Sequence, residues 1–468
     1  MGLDIIIAAP RNTCTGGGIA GSTLALGLAQ AGHTPTIYER EEVRISEGLL
    51  AMPDFGAVGG GAILFRPISR QNSSCYSPGT LAPPTGVMIT ANGLQVFKNF
   101  GVWDAIQREG QRANRNVYMN RIDGTPITSF KVADDDEHVC IMRSTLHKII
   151  NAAAGELGVR FVCGKRLQSF TQTARSETEK ASVKVQFADG TSATGDLLIA
   201  ADGIRSKTRE LLFPGANDKP IYTGTRGFLG LTRLEDGDPW LTKSAISFYM
   251  NTSNRTSVNM MSVGNNLISW NVADHQEEPA EVDSWVPYAD FPREAERLAA
   301  LLESWNAPKD ISKIIGNAHR ISPVTIYDRK SIESWTVGRV TLIGDAAHGM
   351  PPHLGQGTSM ALEDVGVLVE LLRRFPAEPD RCLRMYEAIR IPRTTKIAEQ
   401  TRQMGASQYT KSNMQRFVGE LGLKFLGWVV NTFDVRVYEY DYILEVEKQL
   451  KIESNTAASP TKWNKDEI

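Results

Sequence analysis

Cysteine is scarce in this chain and carries no pattern. The five residues, Cys14, Cys75, Cys140, Cys163 and Cys382, are odd in number and never form a C-x-x-C pair. Such scatter argues against a disulfide framework or a zinc site, and suits a reducing compartment. Charge of one sign is equally lacking: 51 Lys and Arg face 53 Asp and Glu, a formal net charge of −2. A near-neutral chain has no electrostatic footprint for a nucleic-acid backbone, so no nucleic-acid partner is expected. No run approaches the roughly 18 apolar residues of a membrane-spanning helix. The most apolar late stretch, FLGWVV at 425–430, is far shorter, and core packing is its expected role. The opening MGLDIIIAAP has three isoleucines but no basic region before them, so it does not read as a signal peptide. The expected setting is therefore soluble and cytoplasmic.

What is present is an ordinary globular composition, 41% apolar and 22% charged over 468 residues. At about 150 residues per domain that length allows three lobes, or two with elaborations. The first forty residues alternate as strand, glycine-rich turn, helix and strand. DIII at 4–7 is a buried-strand signal, and PTIYER follows as a second strand. Between them Leu24, Ala25, Leu28 and Ala29 recur at helical spacing, with Gly32 placed to stop the helix. This βαβ opening puts the chain in the α/β class.

At its turn stand Gly16, Gly18 and Gly21, in G-x-G-x-x-G spacing. The first permits a tight turn, the second lets the backbone approach a pyrophosphate, and the third lets helix pack on strand. The helix N-terminus adds free N–H groups and a positive dipole end. Glu39 ends the second strand, where an acid can accept hydrogen bonds from an adenosine ribose. Alone, Glu39 reads as a solvated strand-end acid and the glycines as a weak signal. In register with helix and strand, they point to a dinucleotide site. A second run at 59–61 lacks a third spaced glycine and a following helix, and is set aside.

Further along, 86–111 reads as partly helical, 112–145 contains strand-like stretches, and 144–158 reads as a helix. From about 221 to 320 the texture becomes sheet-rich (ISFYM, SVNMMSV, LISWNVA). The chain then returns to strand–loop–helix, and a helical part closes it with a polar tail at 454–468 that is expected to be disordered.

Two later motifs narrow the cofactor. Asp202-Gly203 ends the strand of DLLIAADG, and Gly344-Asp345 ends that of RVTLIGD, before a Pro-rich loop, Gly355-Gln356-Gly357 and a helix. A strand-end acid such as Asp345 can accept hydrogen bonds from the hydroxyls of a ribityl chain. Gly355 and Gly357 leave backbone amides uncovered, and Thr358 can cap the following helix. The positive end of that helix would stabilise an anionic reduced flavin. Together with the fingerprint, these motifs resemble the single-component flavoprotein monooxygenases, the class that includes p-hydroxybenzoate and salicylate hydroxylases. The resemblance runs from residue 4 to about 395.

It implies an α/β fold with a Rossmann-like FAD-binding domain at 1–220 and 321–395. An interleaved β-sheet substrate lobe would occupy 221–320, and C-terminal helices with the polar tail 396–468. It implies FAD contacts at Gly16, Gly18, Gly21, Glu39, Gly86, Arg143, Asp202, Asp345, Pro351, Gly355, Gly357 and Thr358. Within that set Asp345 binds the ribityl–pyrophosphate portion and the Thr358 backbone contacts FAD. Pro351 lies beside the ring, and Arg143, ahead of its helix, reaches the cofactor. Asp202 matches a family motif tied to both FAD and NAD(P)H, and reads equally well as a cap on the turn after its strand. His348 and His353 flank Pro351 and Pro352, a poor geometry for chelation, so no metal site is expected.

The sequence departs from the family pattern in three places. Residues 8–15 separate the first strand from its glycines, and a Gly/Pro-rich segment at 49–85 precedes GVMITANG. Deleting both restores the pattern, and we read both as gene-model or splicing insertions. Several relatives carry an arginine at the start of the substrate lobe where this chain has Leu229, with Arg226 nearby. That role is not transferred, so no catalytic side chain is assigned.

The implied mechanism has NADPH or NADH reduce FAD, which reacts with O2 to a C4a-hydroperoxide that hydroxylates or epoxidises a small organic metabolite. The flavour is that of secondary-metabolite tailoring. The expected lining of the substrate site is Phe228, Phe248, Tyr249, Met250, Met260, Met261 and Trp270, residues that equally suit plain core. The rivals are an inactivated FAD-binding protein and an FAD-dependent oxidase. The sequence leaves the substrate and oligomeric state open.

Overall fold

The computed structural model describes residues 2–8, 18–40, 85–112, 116–131, 137–174, 176, 180–215, 218–243, 246–251, 255–279, 288–407, 412–433 and 438–458. Gly16 lies outside them, as do the two atypical segments apart from Ala8 and Thr85, and the tail from 459.

Strands whose side chains are apolar on both faces can only be buried on both faces, and two such strands, Asp4–Ala8 and Leu197–Ala200, lie inside a sheet with five parallel strands. Its spatial order is Val340–Leu342, Leu197–Ala200, Asp4–Ala8, Thr34–Tyr38 and Arg160–Val162, with Thr336–Val337 antiparallel at one edge. Ile5, Ile6 and Ile7 sit in the middle, beside Leu197, Leu198 and Ile199. The helix Ile19–Gln30 packs between Gly357–Arg374 and Arg143–Glu156. Small residues permit this approach: a Cβ on Gly27 would stand 2.5 Å from the Phe100 ring and 2.9 Å from Val369. The helix ends in two paired bonds, Gly32 N–H to Ala29 O and His33 N–H to Leu28 O, with Gly32 at φ +85°. That left-handed position is why a glycine stops it.

A second sheet has seven strands, in the order Arg320–Asp328, Ile221–Arg233, Leu267–His275, Thr256–Ser262, Ile246–Asn251, Asn116–Arg121 and Pro126–Lys131. Two of its strands thus come from well before residue 221, and Asn116–Arg121 joins by a parallel pairing with Ile246–Asn251. The expected division at 320/321 falls inside the strand Arg320–Asp328. The one at 395/396 falls inside the continuous helix Pro379–Ser407. A strand and a helix cannot be cut there without losing their hydrogen bonds.

The two-residue period of a strand sorts the aromatic and methionine residues of this sheet onto opposite faces. Phe228, Tyr249, Met260 and Trp270 lie under the helices Phe291–Ser304 and Lys309–Gly316, in a core with Leu298, Ile311 and Ile315. Trp270 fills the space over Gly230, and its Nε1–H donates to Thr232 Oγ1 at 2.9 Å. Phe248 and Met261 occupy the other face, with Leu231, Ile246, Val263, Cys140, Met88 and Met142. That face meets a three-stranded sheet of Gly86–Ile89, Val139–Met142 and Gln111–Arg112. The expected lining set is therefore split: Phe228, Tyr249, Met260 and Trp270 are core on the far side. Arg226 shares that far side, its guanidinium 5.7 Å from the Phe228 ring.

The C-terminal region is helical through Asn413–Phe433 and Tyr442–Ala458. Residues 454–458 of the expected disordered tail thus belong to a helix. Met414, Phe417, Val418, Leu421, Phe425 and Trp428 form an exposed stripe along the first of these helices, so FLGWVV is largely surface, with Val430 buried. Cys140 and Cys382 are buried free thiols. Among the described residues no helix is long and apolar enough to cross a membrane.

Candidate active site

Three glycine-bearing turns meet at the carboxyl edge of the parallel sheet. The first is the start of the helix Ile19–Gln30. Gly18 occupies its N-cap, no side chain caps it, and no acid stands in its first turn. Among the described residues nothing compensates the positive end of the dipole, as an anion site requires. A Cβ on Gly21 would stand 3.3 Å from Ile7 and 3.4 Å from Ala201, so the helix sits close on both strands.

The second turn follows the strand Val340–Leu342. Gly344 adopts φ +58°, ψ −140°, a conformation open to glycine, and opens the short helix Asp345–His348. A Cβ on Gly344 would lie 3.3 Å from the Ala361 Cβ and 3.6 Å from the Ala20 Cβ, so this turn touches both other helix starts. The Asp345 carboxylate faces outward and is exposed. Beneath it the fully buried Arg209 donates to the carbonyls of Ala347 (2.7 Å) and Ala346 (3.2 Å), which satisfies the end of the short helix.

The third turn begins at Pro351, which is buried, and passes through the single turn Pro352–Leu354. Gly355 is left-handed at φ +63°, and a Cβ there would come 2.9 Å from the Met88 methyl. The helix Gly357–Arg374 starts next, with nothing within 4 Å of where a Gly357 Cβ would be. Its N-cap is Gln356 and no side chain caps it, so the expected Thr358 cap is not made. Thr358 lies one residue inside the helix, where its hydroxyl comes too late to serve as N-cap. Leu362, Val365, Leu368, Val369 and Leu372 are all buried.

The remaining expected residues divide. Glu39 is 1% exposed, not the solvated acid of the bland reading, and its backbone is tied to Val162 O and Lys165 N, each at 2.8 Å. Beside it a cavity of about 430 Å³ is lined by Tyr38, Phe187 and five cations, Arg40, Lys165, Arg166, Arg205 and Lys207. Arg205 lies 4.4 Å over the Tyr327 ring, and its Nη2 is buried without a hydrogen-bond partner. Asp202 also lines this cavity, but its carboxylate accepts from Ser206 Oγ (2.5 Å), Thr208 N and Thr208 Oγ1 (both 2.9 Å). Burial raises its pKa against those three bonds. Of its two sequence readings, the turn cap is the one its hydrogen bonds make.

Gly86 packs against the second sheet: its N–H donates to Ser269 Oγ at 2.7 Å, and a Cβ would be 2.5 Å from Val263. Arg143 opens the helix Arg143–Glu156, its N–H bonded to Thr85 O, and its Nε is buried with no partner. One turn on, His147 is buried with both ring nitrogens unpaired. Burial, and then the charge of Arg143, hold its pKa down to about 3. The folded state therefore excludes a proton that the unfolded chain binds below about pH 6.5. Stability contributed by the neutral ring is complete above pH 6.5 and falls as the pH drops towards 3. At pH 5.5 the loss is on the order of 1 kcal/mol. The expected result is that His147→Leu flattens this acid limb, read from denaturant midpoints between pH 7 and 5; an unchanged slope would refute it.

Residues that sequence reasoning did not single out join these turns from behind. Thr90, Asn92, Gln356, Ser359, Glu363, Asp364 and Arg390 are buried and hydrogen-bonded to one another. Their one available signal was the ED pair of ALEDVG, two acids in an otherwise apolar stretch of helix. His348 Nε2 meets Asp364 Oδ2 at 2.6 Å, while His353 packs beside Gly405, so the two histidines serve different neighbours. Among the described residues no group of three or more His, Cys, Asp or Glu could hold a metal ion.

Comparison with known proteins gives a family model, described as an FAD binding domain, that matches residues 77–401. The 3-amino-4-hydroxybenzoate 2-monooxygenase PtnB3 of Streptomyces platensis is 27% identical over 403 residues, covering 85% of this chain and 88% of its own. The aurachin C monooxygenase/isomerase of Stigmatella aurantiaca is 26% identical over 398 residues, covering 84% and 86%. The crystal structure of Klebsiella pneumoniae HpxO with FAD and uric acid superimposes with a TM-score of 0.68 at 21% identity, covering 90% of this chain and 93% of HpxO.

Proposed function

This chain belongs to the family of FAD binding domains, and from that premise we propose that its three turns hold one FAD in a monooxygenase acting on a small organic molecule. The observation that carries the reading is the meeting of Ala20, Gly344 and Ala361, which sets two uncapped helix starts on either side of the exposed Asp345. The fit of the cofactor rests on features of the chain itself. Space lies open at Gly357, buried nitrogens of Arg143 and Arg205 lack partners, and a cationic cavity adjoins Glu39.

In this reading Gly18 and Gly21 bring the first helix start to the pyrophosphate, and the cations beside Glu39 balance its charge. Glu39 accepts from the adenosine ribose and Asp345 from the ribityl hydroxyls. The start of Gly357–Arg374 directs its N–H groups at the flavin, and Arg143 and Pro351 flank it. Gly86 holds the adjoining strand against the substrate sheet. When bound, FAD accepts hydride from NADPH or NADH and activates O2. The face of Met88, Met142, Phe248 and Met261 receives the substrate and keeps water out. The names of the relatives support an aromatic substrate, hydroxylated at carbon, and this apolar face agrees with a ring.

The test is a visible spectrum of the purified chain with FAD, followed by anaerobic NADPH or NADH and then air. Flavin bands that bleach and return, with oxygen recovered in an organic product, are expected. A chain that takes up no FAD would overturn the reading, and reoxidation yielding only hydrogen peroxide with every substrate tried would point to an oxidase.

A further inference from the structure

Behind the second and third turns lies a continuous buried ionic network that the cofactor reading does not use. Asp364 Oδ2 accepts from Gly344 N–H at 2.9 Å, and its Oδ1 from Arg390 Nε at 2.8 Å. The same guanidinium reaches Glu363 Oε2, and Arg393 binds both Glu363 oxygens at 2.7 Å. Glu363 Oε1 also accepts from Asn92 Nδ2 at 2.7 Å, which further donates to Gln356 Oε1 at 3.1 Å. Gln356 Nε2 in turn donates to Thr90 Oγ1 at 3.1 Å. Glu363, Asp364 and Arg390 have no solvent exposure at all.

We propose that Asp364 and Glu363, joined by Arg390, are positioning residues: Asp364 fixes the Gly344–Asp345 turn and Glu363 fixes the Gln356–Gly357 helix start. The proposal rests on the cofactor reading of those two turns. Two acids and two guanidiniums balance in charge, so the network needs no cofactor to be complete. A buried ion cluster is a poor source of stability, because desolvation consumes most of its Coulomb energy, and well-packed apolar residues would serve as well. What the polar version adds is direction. Asp364 holds the second turn directly, through Gly344 N–H and His348 Nε2, whereas Glu363 reaches the third through Asn92, which donates to both Glu363 and Gln356. These are the two turns whose outer faces stay open at Asp345 and Gly357. Because neighbouring residues of one helix hold them, and one arginine spans both acids, neither turn can shift alone. Pre-setting the turns removes an ordering cost from binding.

The test compares FAD dissociation constants, from flavin fluorescence quenching, in wild type, Asp364→Asn and Glu370→Gln. Glu370 pairs with Arg373 and Arg374 at the far end of the same helix and serves as the stability control. Asp364→Asn is expected to weaken FAD binding tenfold or more and to alter the visible circular dichroism of the bound flavin. Glu370→Gln is expected to lower the thermal midpoint with a dissociation constant within twofold of wild type, and Arg390→Lys to recover part of the affinity that Arg390→Met loses. An Asp364→Asn protein that binds within twofold of wild type would overturn the proposal. Should that variant not fold, hydrogen exchange on the wild-type apoprotein decides. A Gly344 amide already protected without FAD is expected, and one protected only after FAD is added would overturn it. Failure of the wild type to bind FAD would instead sink the cofactor reading, while the exchange result on the apoprotein would still stand.

Discussion

Asp345→Ala is expected to weaken FAD binding by about 100-fold while leaving the thermal midpoint of the apoprotein where it is. The two halves of that result have separate physical origins. The carboxylate is exposed and turned away from the protein, so its loss leaves no buried group unsatisfied. Toward a ribityl chain it offers two charged acceptors, and each charge-assisted hydrogen bond to a neutral hydroxyl is worth about tenfold in affinity. Asp345→Asn keeps one acceptor without the charge and is expected to fall between. Flavin fluorescence titration gives the affinity and differential scanning fluorimetry the midpoint. Unchanged affinity in the alanine variant would remove Asp345 from the site.

Arg390→Met is expected to cost about 3–5 kcal/mol, because it strands Glu363 and Asp364 in the interior with only Arg393 and His348 to answer them. Its pH dependence is the more discriminating readout. Burial alone would raise the Asp364 pKa, but the nearby His348 and the Arg390 guanidinium outweigh it and hold the group below the usual carboxylate range. In the wild type this carboxylate therefore adds stability above about pH 4 and loses it as the pH falls through its lowered value. Without Arg390 only His348 opposes burial and the pKa rises relative to wild type, so the folded variant takes up a proton more readily than the folded wild type. The penalty of the substitution should therefore grow as pH rises from 4 to 7. Parallel urea midpoints across that range would contradict the account.

The parts of the site legible in the sequence are those where one residue type is nearly obligatory. Gly18, Gly21 and Gly355 could be singled out because a tight phosphate turn, a close helix–strand contact and uncovered backbone amides each favour glycine; that Gly355 is also left-handed came only with the structure. Gly344 and Asp345 could be placed because strand, glycine and acid arrive together. The parity of the seven-stranded sheet was not legible: a run such as ISFYM fits either way round, and only the packing decides that Tyr249 faces the helices Phe291–Ser304 and Lys309–Gly316 and Phe248 the other side. Nor was the membership of Asn116–Arg121 and Pro126–Lys131 in that sheet, since they pair with each other and their one link to it, Asn116–Arg121 with Ile246–Asn251, spans more than a hundred residues. The five cations near Glu39 come from three separate stretches of chain, and nothing local distinguishes them from surface charge. Arg390 is one arginine among several in its helix, and what makes it special is the pair of acids it meets from another helix. FLGWVV failed for the converse reason: an apolar run does not say whether anything lies over it.

The order of the strands in the parallel sheet has a consequence for how the chain is made. Asp4–Ala8 leaves the ribosome early, yet its neighbour Leu197–Ala200 arrives nearly two hundred residues later, and that strand's own partner, Val340–Leu342, later still. Closing such distant pairings is slow, and until then the three isoleucines of the first strand are covered only by Thr34–Tyr38 and the helix Ile19–Gln30. Both turns around Asp345 are supplied after that point, and Arg390 after them. On the proposed reading of these turns, a nascent chain has no complete flavin site until most of its length has emerged, so cofactor loading comes late in synthesis or after it.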